Sequence, residues 1–67
     1  MKSIGQIIKD ERTSKNLSQT ELAKLLGLTY DSISLWENDK RLPDTQYIIQ
    51  LCKIFEISAD YLLGLEE

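Results

Sequence analysis

The chain has 67 residues, 42% of them apolar and 28% charged, with one cysteine, no histidine and a formal net charge of -3. That length suits a single domain, residues 1–67, and a domain this small buries only about 60% of the surface its unfolded chain exposes, so stability has to come from one core. Cys52 alone closes no internal disulfide and builds no Cys/His zinc site. The lack of imidazole removes Ser-His-Asp and Cys-His catalysis, so no metal, cofactor or enzymatic activity is expected.

The first nine residues, Met-Lys-Ser-Ile-Gly-Gln-Ile-Ile-Lys, lack the apolar stretch of a signal peptide, and no apolar run approaches the roughly 18 residues of a membrane span. A cytoplasmic protein without membrane contact is the expectation, and an unpaired thiol suits such a reducing compartment. The charge is unevenly spread. Residues 1–55 carry 8 Lys+Arg against 7 Asp+Glu, a balance of +1, whereas residues 56–67 carry only Glu56, Asp60, Glu66 and Glu67, a balance of -4. The acidity belongs to the tail, including the end at 64–67, and reads as a solvated terminus.

In chain order, Ile4, Ile7, Ile8 and Glu11 recur at helical intervals and predict a first helix from about Ser3 to Ser14. Ser18 and Glu21 form an S-x-x-E capping box ahead of Leu22, Ala23, Leu25 and Leu26, and Gly27 supplies the left-handed residue that closes this second helix. Thr29 is the expected N-cap of a third helix, Tyr30 to about Asn38, with Ile33 and Trp36 on its inner face. A polar loop, residues 38–43, ends at the single proline. Asp44 is the expected cap of a fourth helix bearing Tyr47, Ile48, Leu51, Cys52 and Phe55. Ser58 is placed to cap a short fifth, Ala59 to about Leu63, which Gly64 stops. Trp36, Phe55 and Tyr61 read as core aromatics, and Cys52 as a small buried hydrophobe. The expected fold is all-α, with five short helices.

Residues 18–37 carry the most specific pattern. Two short helices meeting at a glycine turn form a helix-turn-helix when small and apolar residues hold the crossing. Leu22 and Leu26 turn inward, Ala23 is small enough for close approach, Gly27 makes the turn, and Leu28, Ile33 and Trp36 complete the inner face.

With these residues in place, the chain resembles the Cro/cI-type (XRE) helix-turn-helix family of bacterial and phage repressors. The resemblance runs through Ile4-Gly5-Gln6-Ile7-Ile8-Lys9-Asp10-Glu11-Arg12, Leu17-Ser18-Gln19-Thr20-Glu21-Leu22-Ala23, Ile33-Ser34-Leu35-Trp36-Glu37, Lys40-Arg41-Leu42-Pro43 and Ile57-Ser58-Ala59-Asp60-Tyr61-Leu62-Leu63-Gly64. It implies a lambda-repressor-like domain whose third helix enters the DNA major groove while the second lies across the backbone. Gln19 would then reach a phosphate or base edge, and Ser18 would cap its helix and touch the backbone. Tyr30, Asp31, Ser34 and Leu35 match base-facing positions, with Thr29, Ser32 and Asn38 nearer the phosphates and Lys40 and Arg41 supplying charge beyond the helix. Leu35 suits a thymine methyl, and Asp31, where the family often has glutamine, arginine or lysine, suits a cytosine amino group. Arg12 and Glu37 match an ion pair that fixes the third helix to the body.

The resemblance implies a sequence-specific regulator of transcription, expected to be a repressor that occupies an operator in double-stranded DNA, with no small-molecule ligand. A homodimer on a pseudo-palindromic site is the geometric counterpart. Leu63 and Leu65 either contribute to its interface or complete the monomer core. The competing reading, supported by the acidic balance, is a protein-interaction module of the antirepressor or antitoxin-like kind that binds through Tyr30, Leu35 and the tail.

Overall fold

The computed structural model describes residues 2–65 and contains α1 (Ile4–Ser14), α2 (Gln19–Leu26), α3 (Tyr30–Glu37), α4 (Thr45–Phe55) and α5 (Ala59–Leu62). No strand occurs among the described residues. None of their helices is long and apolar enough to cross a membrane. Each helix contributes its apolar stripe to one core: Ile7 and Ile8 from α1, Leu22, Ala23 and Leu26 from α2, Ile33 and Trp36 from α3, Leu51 and Phe55 from α4, and Leu62 from α5. Fully burying an aliphatic side chain of this size contributes about 1.5–3 kcal/mol, so the packed interior rather than helix propensity holds these short segments. α3 packs on both α1 and α2, and α5 on both α4 and α1. The third helix is thereby seated against two others, and the face carrying Tyr30 and Asp31 is left outward.

The helix starts follow side-chain chemistry in three of five cases. The Ser18 hydroxyl accepts from the Glu21 N–H at 3.0 Å while the Glu21 carboxylate accepts from the Ser18 N–H at 2.8 Å, closing the capping box. Ser58 accepts from the Tyr61 N–H, and Ser3, expected inside α1, instead stands outside it as a cap that accepts from the Gln6 N–H. Thr29 and Asp44 differ from expectation. Both occupy the N-cap backbone position with extended dihedrals, but neither side chain makes a capping hydrogen bond.

The helix ends share one device. Asn16, Gly27, Asp39, Glu56 and Gly64 all have positive φ, and each follows a helix. In every case the next residue donates its N–H back across the turn: Leu17 to Arg12, Leu28 to Ala23, Lys40 to Leu35, Ile57 to Cys52 and Leu65 to Asp60. This is the Schellman closure, which satisfies carbonyls that the helix itself cannot. Glycine takes the left-handed conformation freely and Asn or Asp tolerates it, whereas Glu56 does so against its Cβ.

Three expectations are corrected. Asn38 terminates α3 as its C-cap, and α5 ends at Leu62 with Leu63 as its C-cap, while Gly64 closes the turn where expected. Cys52 is half-buried rather than buried, and that burial still pushes its thiol pKa up, away from reactivity. Leu63 and Leu65, whose place in core or interface the sequence left open, are 40% and 73% exposed and so do not complete the monomer core; residues 66–67 of the acidic end lie outside the described residues.

Two outcomes follow. Glu56→Gly removes the left-handed strain at the cost of a surface ion pair, 3.9 Å from Lys15, of little worth. It is expected to stabilise the fold by about 0.5–1 kcal/mol, a rise in Tm of roughly 3–6 °C by differential scanning calorimetry. The hydrogen bond from the Ser18 N–H holds the Glu21 carboxyl below its ordinary pKa. A depressed folded pKa means stabilisation present above the usual glutamate range and lost as pH falls through the lowered value. Glu21→Gln, which keeps an acceptor without the charge, is expected to flatten the acid limb of the Tm-against-pH curve; an unchanged limb would remove Glu21 from the acid response.

Candidate nucleic-acid interface

The site is built on α3, and what orients α3 is a polar cluster at its C-terminal end. Arg12 on α1 meets Glu37 in bidentate fashion, with Nε 2.6 Å from Oε2 and Nη2 3.0 Å from Oε1, and its Nη1 donates to the Leu17 carbonyl at 2.8 Å. The Glu37 side chain is 4% exposed and that of Arg12 is 11% exposed. The guanidinium fork suits this planar pairing, and the side-chain hydrogen bond to Glu37 raises the Arg12 pKa above its ordinary value. Gln19, the first residue of α2, donates its Nε2 to Glu37 Oε1 at 3.1 Å. One carboxylate therefore joins α1, α2 and α3.

The expected outer-face residues fall into two groups. Tyr30 is 55% exposed, and Thr29, Asp31, Asn38, Lys40 and Arg41 are exposed. Asp31 stands in the first turn of α3, where a carboxylate complements the positive end of the helix dipole. Ser32, Ser34 and Leu35 are half-buried. The Ser34 carbonyl accepts from Asn38 Nδ2 at 2.8 Å, so these two residues brace the last turn of α3. Ser32 and Arg41 help line an open depression between α3, the following loop and α4, together with Trp36 and Tyr47, whose rings lie 5.7 Å apart. The hydroxyl of Ser18 is engaged by its own helix, accepting from the Glu21 N–H and hydrogen-bonding the Glu21 carboxylate.

Two features escaped the sequence pattern. The Gln19–Glu37 contact joins residues 18 apart, and periodicity carries no signal for it. Gly5 stands where α1 touches the end of α3: a Cβ there would collide with the carbonyl oxygens of Trp36 and Glu37 and with the Asp39 carboxylate. A glycine inside an otherwise regular helix, destabilising by itself, was the available sign of such a close approach.

Two short helices joined through left-handed Gly27, with α3 presenting an exposed mixed face beside two cations, define a helix-turn-helix domain. A family model described as helix-turn-helix matches residues 8–62, and the chain belongs to this family, of the Cro/cI type. The transcriptional regulator ImmR of Bacillus subtilis (strain 168) is 35% identical over 65 residues, covering 97% of this chain and 51% of ImmR. The ImmF control region 10 kDa protein of Bacillus phage phi105 is 36% identical over 61 residues, covering 91% of this chain and 68% of that protein. The present chain thus spans about half the length of ImmR and about two thirds of the phage protein. Among solved structures, the P22 c2 repressor in complex with a synthetic operator superposes with a TM-score of 0.91 at 29% identity, covering 98% of this chain and 100% of that one.

The Arg12–Glu37 pair makes a testable claim on stability. Glu37→Gln leaves a nearly buried guanidinium without its counter-charge, and a loss of about 3 kcal/mol is expected by urea denaturation. The exposed control Lys9→Gln is expected to change stability by less than about 0.5 kcal/mol. Equal effects of the two substitutions would remove the pair from its orienting role.

Proposed function

We propose that this chain is a sequence-specific double-stranded-DNA-binding regulator of transcription, a repressor that occupies its operator by placing α3 in the major groove. The observation that carries this reading is the near-complete likeness to a repressor solved on its operator, over 98% of the chain. Docked in the same way, α3 turns Tyr30, Asp31, Ser34 and Leu35 toward base edges. Thr29, Ser32 and Asn38 lie nearer the flanking phosphates, while Lys40 and Arg41 pair with the backbone beyond the helix. At the start of α2, Gln19 approaches a phosphate or base edge, and Ser18 caps its helix and approaches the backbone. Gln19 gives one Nε2 proton to Glu37 and retains the other, with its amide oxygen, for DNA.

The chain acts in this reading as a homodimer on a pseudo-palindromic operator in the cytoplasm, with its recognition helices about one turn of DNA apart. Leu63 and Leu65, exposed beyond the last helix, are available to that interface. No catalysis, cofactor or small-molecule ligand enters this reading, and occupancy follows protein concentration.

A random-duplex selection followed by fluorescence anisotropy tests the reading. One enriched sequence is expected to bind at least about 10³-fold more tightly than a scrambled duplex, with affinity falling steeply as salt rises. Lys40→Gln and Arg41→Gln are each expected to reduce the slope of log K against log salt by about 1, equally for both duplexes. A selection that enriches nothing would overturn the reading and favour a protein-interaction module on the same fold. Sedimentation of an unchanged monomer with and without the selected duplex would overturn the dimer.

A further inference from the structure

The Schellman closure of α3 contains a residue whose chemistry is unexplained by the turn alone. Asp39 is its left-handed residue, with φ 57°; its N–H donates to the Trp36 carbonyl, and the next N–H, of Lys40, donates to the Leu35 carbonyl. Glycine is the ordinary occupant of such a position, and any Cβ there is a cost. The Asp39 carboxylate does something glycine could not. Its Oδ1 accepts from the Gly5 N–H at 3.1 Å, and its Oδ2 accepts from the Ser3 hydroxyl at 2.7 Å, across 34 and 36 residues of sequence. Ser3 in turn accepts from the Gln6 N–H, so the carboxylate and the serine together satisfy two of the N–H groups that α1 leaves free.

The charge matters as well as the bonds. α1 has no acidic residue of its own in its first turn, where negative charge is favourable. Asp39 supplies it from another element. The absence of a Cβ at Gly5 is what allows the end of α3 to come this close, since the same Cβ would strike the Trp36 and Glu37 carbonyls. The end of α3 is thus fastened to α1 twice, by Arg12–Glu37 and by Asp39 with Ser3 and Gly5. The residues directly after the second fastening are Lys40 and Arg41.

We propose that Asp39 is a positioning residue for DNA recognition: by latching the turn after α3 onto the N-terminus of α1, it sets the direction of the recognition helix and of the Lys40–Arg41 cations relative to the duplex. This rests on the DNA-binding reading above, and Asp39 itself touches no base or phosphate in it. Its carboxylate is engaged by Ser3 and Gly5.

The test compares wild type with Asp39→Gly, which keeps the left-handed turn and removes the latch, and with Asp39→Asn, which keeps one acceptor. All are measured at a temperature where circular dichroism finds each fully folded. In the free proteins, amide hydrogen exchange is expected to show the Gly5 N–H protected in wild type and exposed in Asp39→Gly, with the Tyr30–Leu35 amide resonances shifted. On DNA, Asp39→Gly is expected to weaken binding to the selected duplex about tenfold, with Asp39→Asn intermediate and the scrambled duplex unaffected or bound more tightly because an anion has been removed.

Equal Gly5 exchange in wild type and Asp39→Gly, or unmoved Tyr30–Leu35 resonances, would overturn the latch whatever happens on DNA. Exposure of Gly5 with unchanged affinity for the selected duplex, or equal weakening on both duplexes, would overturn the positioning role. A wild-type chain that prefers no duplex would bring down the DNA reading instead, leaving the free-protein spectra to decide whether Asp39 holds α3. Should Asp39→Gly fail to fold, Asp39→Asn, which leaves the Ser3 cap on Gln6 in place and removes the charge of the latch, is expected to shift the same resonances in the same direction, and no shift would count against the latch.

Discussion

A carboxylate that is 4% exposed has to find charge and hydrogen bonds inside the protein, and Glu37 finds them on two other helices. Arg12 takes both of its oxygens, and Gln19 shares one. Apolar contacts among Ile8, Leu22, Ile33 and Leu51 favour burial but tolerate sliding and rotation, because dispersion is weakly directional. A bidentate ion pair tolerates neither. Its distances of 2.6 and 3.0 Å are met at one rotation and one height of α3 against α1, so the pair gives α3 a defined orientation within the packed bundle.

That constraint has to be strong because the helices are short. α2 and α3 have 8 residues each and α5 has 4, below the roughly 12–15 at which an isolated helix becomes marginal in water. Their ends are consequently a large fraction of their backbone, and the structure answers with left-handed closures at all five C-termini. At Gly27 the closure also makes the tight turn between α2 and α3. At Asp39 the same closure carries a carboxylate to α1, and secondary structure and tertiary contact are made by one residue.

The electrostatic character of the surface follows the same local logic. A chain of net charge -3 does not attract a polyanion from a distance, so the DNA-binding reading depends on where individual charges stand. Eight carboxylates and cations among the described residues are drawn into pairs or caps: Lys2 with Asp10, Arg12 with Glu37, Lys15 with Glu56, Glu21 on its helix and Asp39 on α1. Lys40 and Arg41 stay exposed just beyond α3.

Apolar spacing and capping residues made the five helices, the turn at Gly27 and the inward set of Leu22, Ala23, Leu26, Ile33 and Trp36 legible in the sequence, because both signals act within a few residues. Arg12 and Glu37 were legible through family resemblance, although spacing alone connects nothing 25 residues apart. Thr29 and Asp44 were misjudged as side-chain caps, since local preference marks an N-cap position but not the rotamer its surroundings select. The exposure of Leu63 and Leu65 was left open by sequence, for a terminal helix of one turn has no periodicity to read. By itself, then, the sequence determined the class of fold, the helix order and the family. Only the tertiary structure decided that Gln19 shares Glu37, that Gly5 admits the end of α3, and that Asp39 closes one helix and caps another. These contacts join residues 18 to 36 apart, and their energy exists only once the core has brought the helices together.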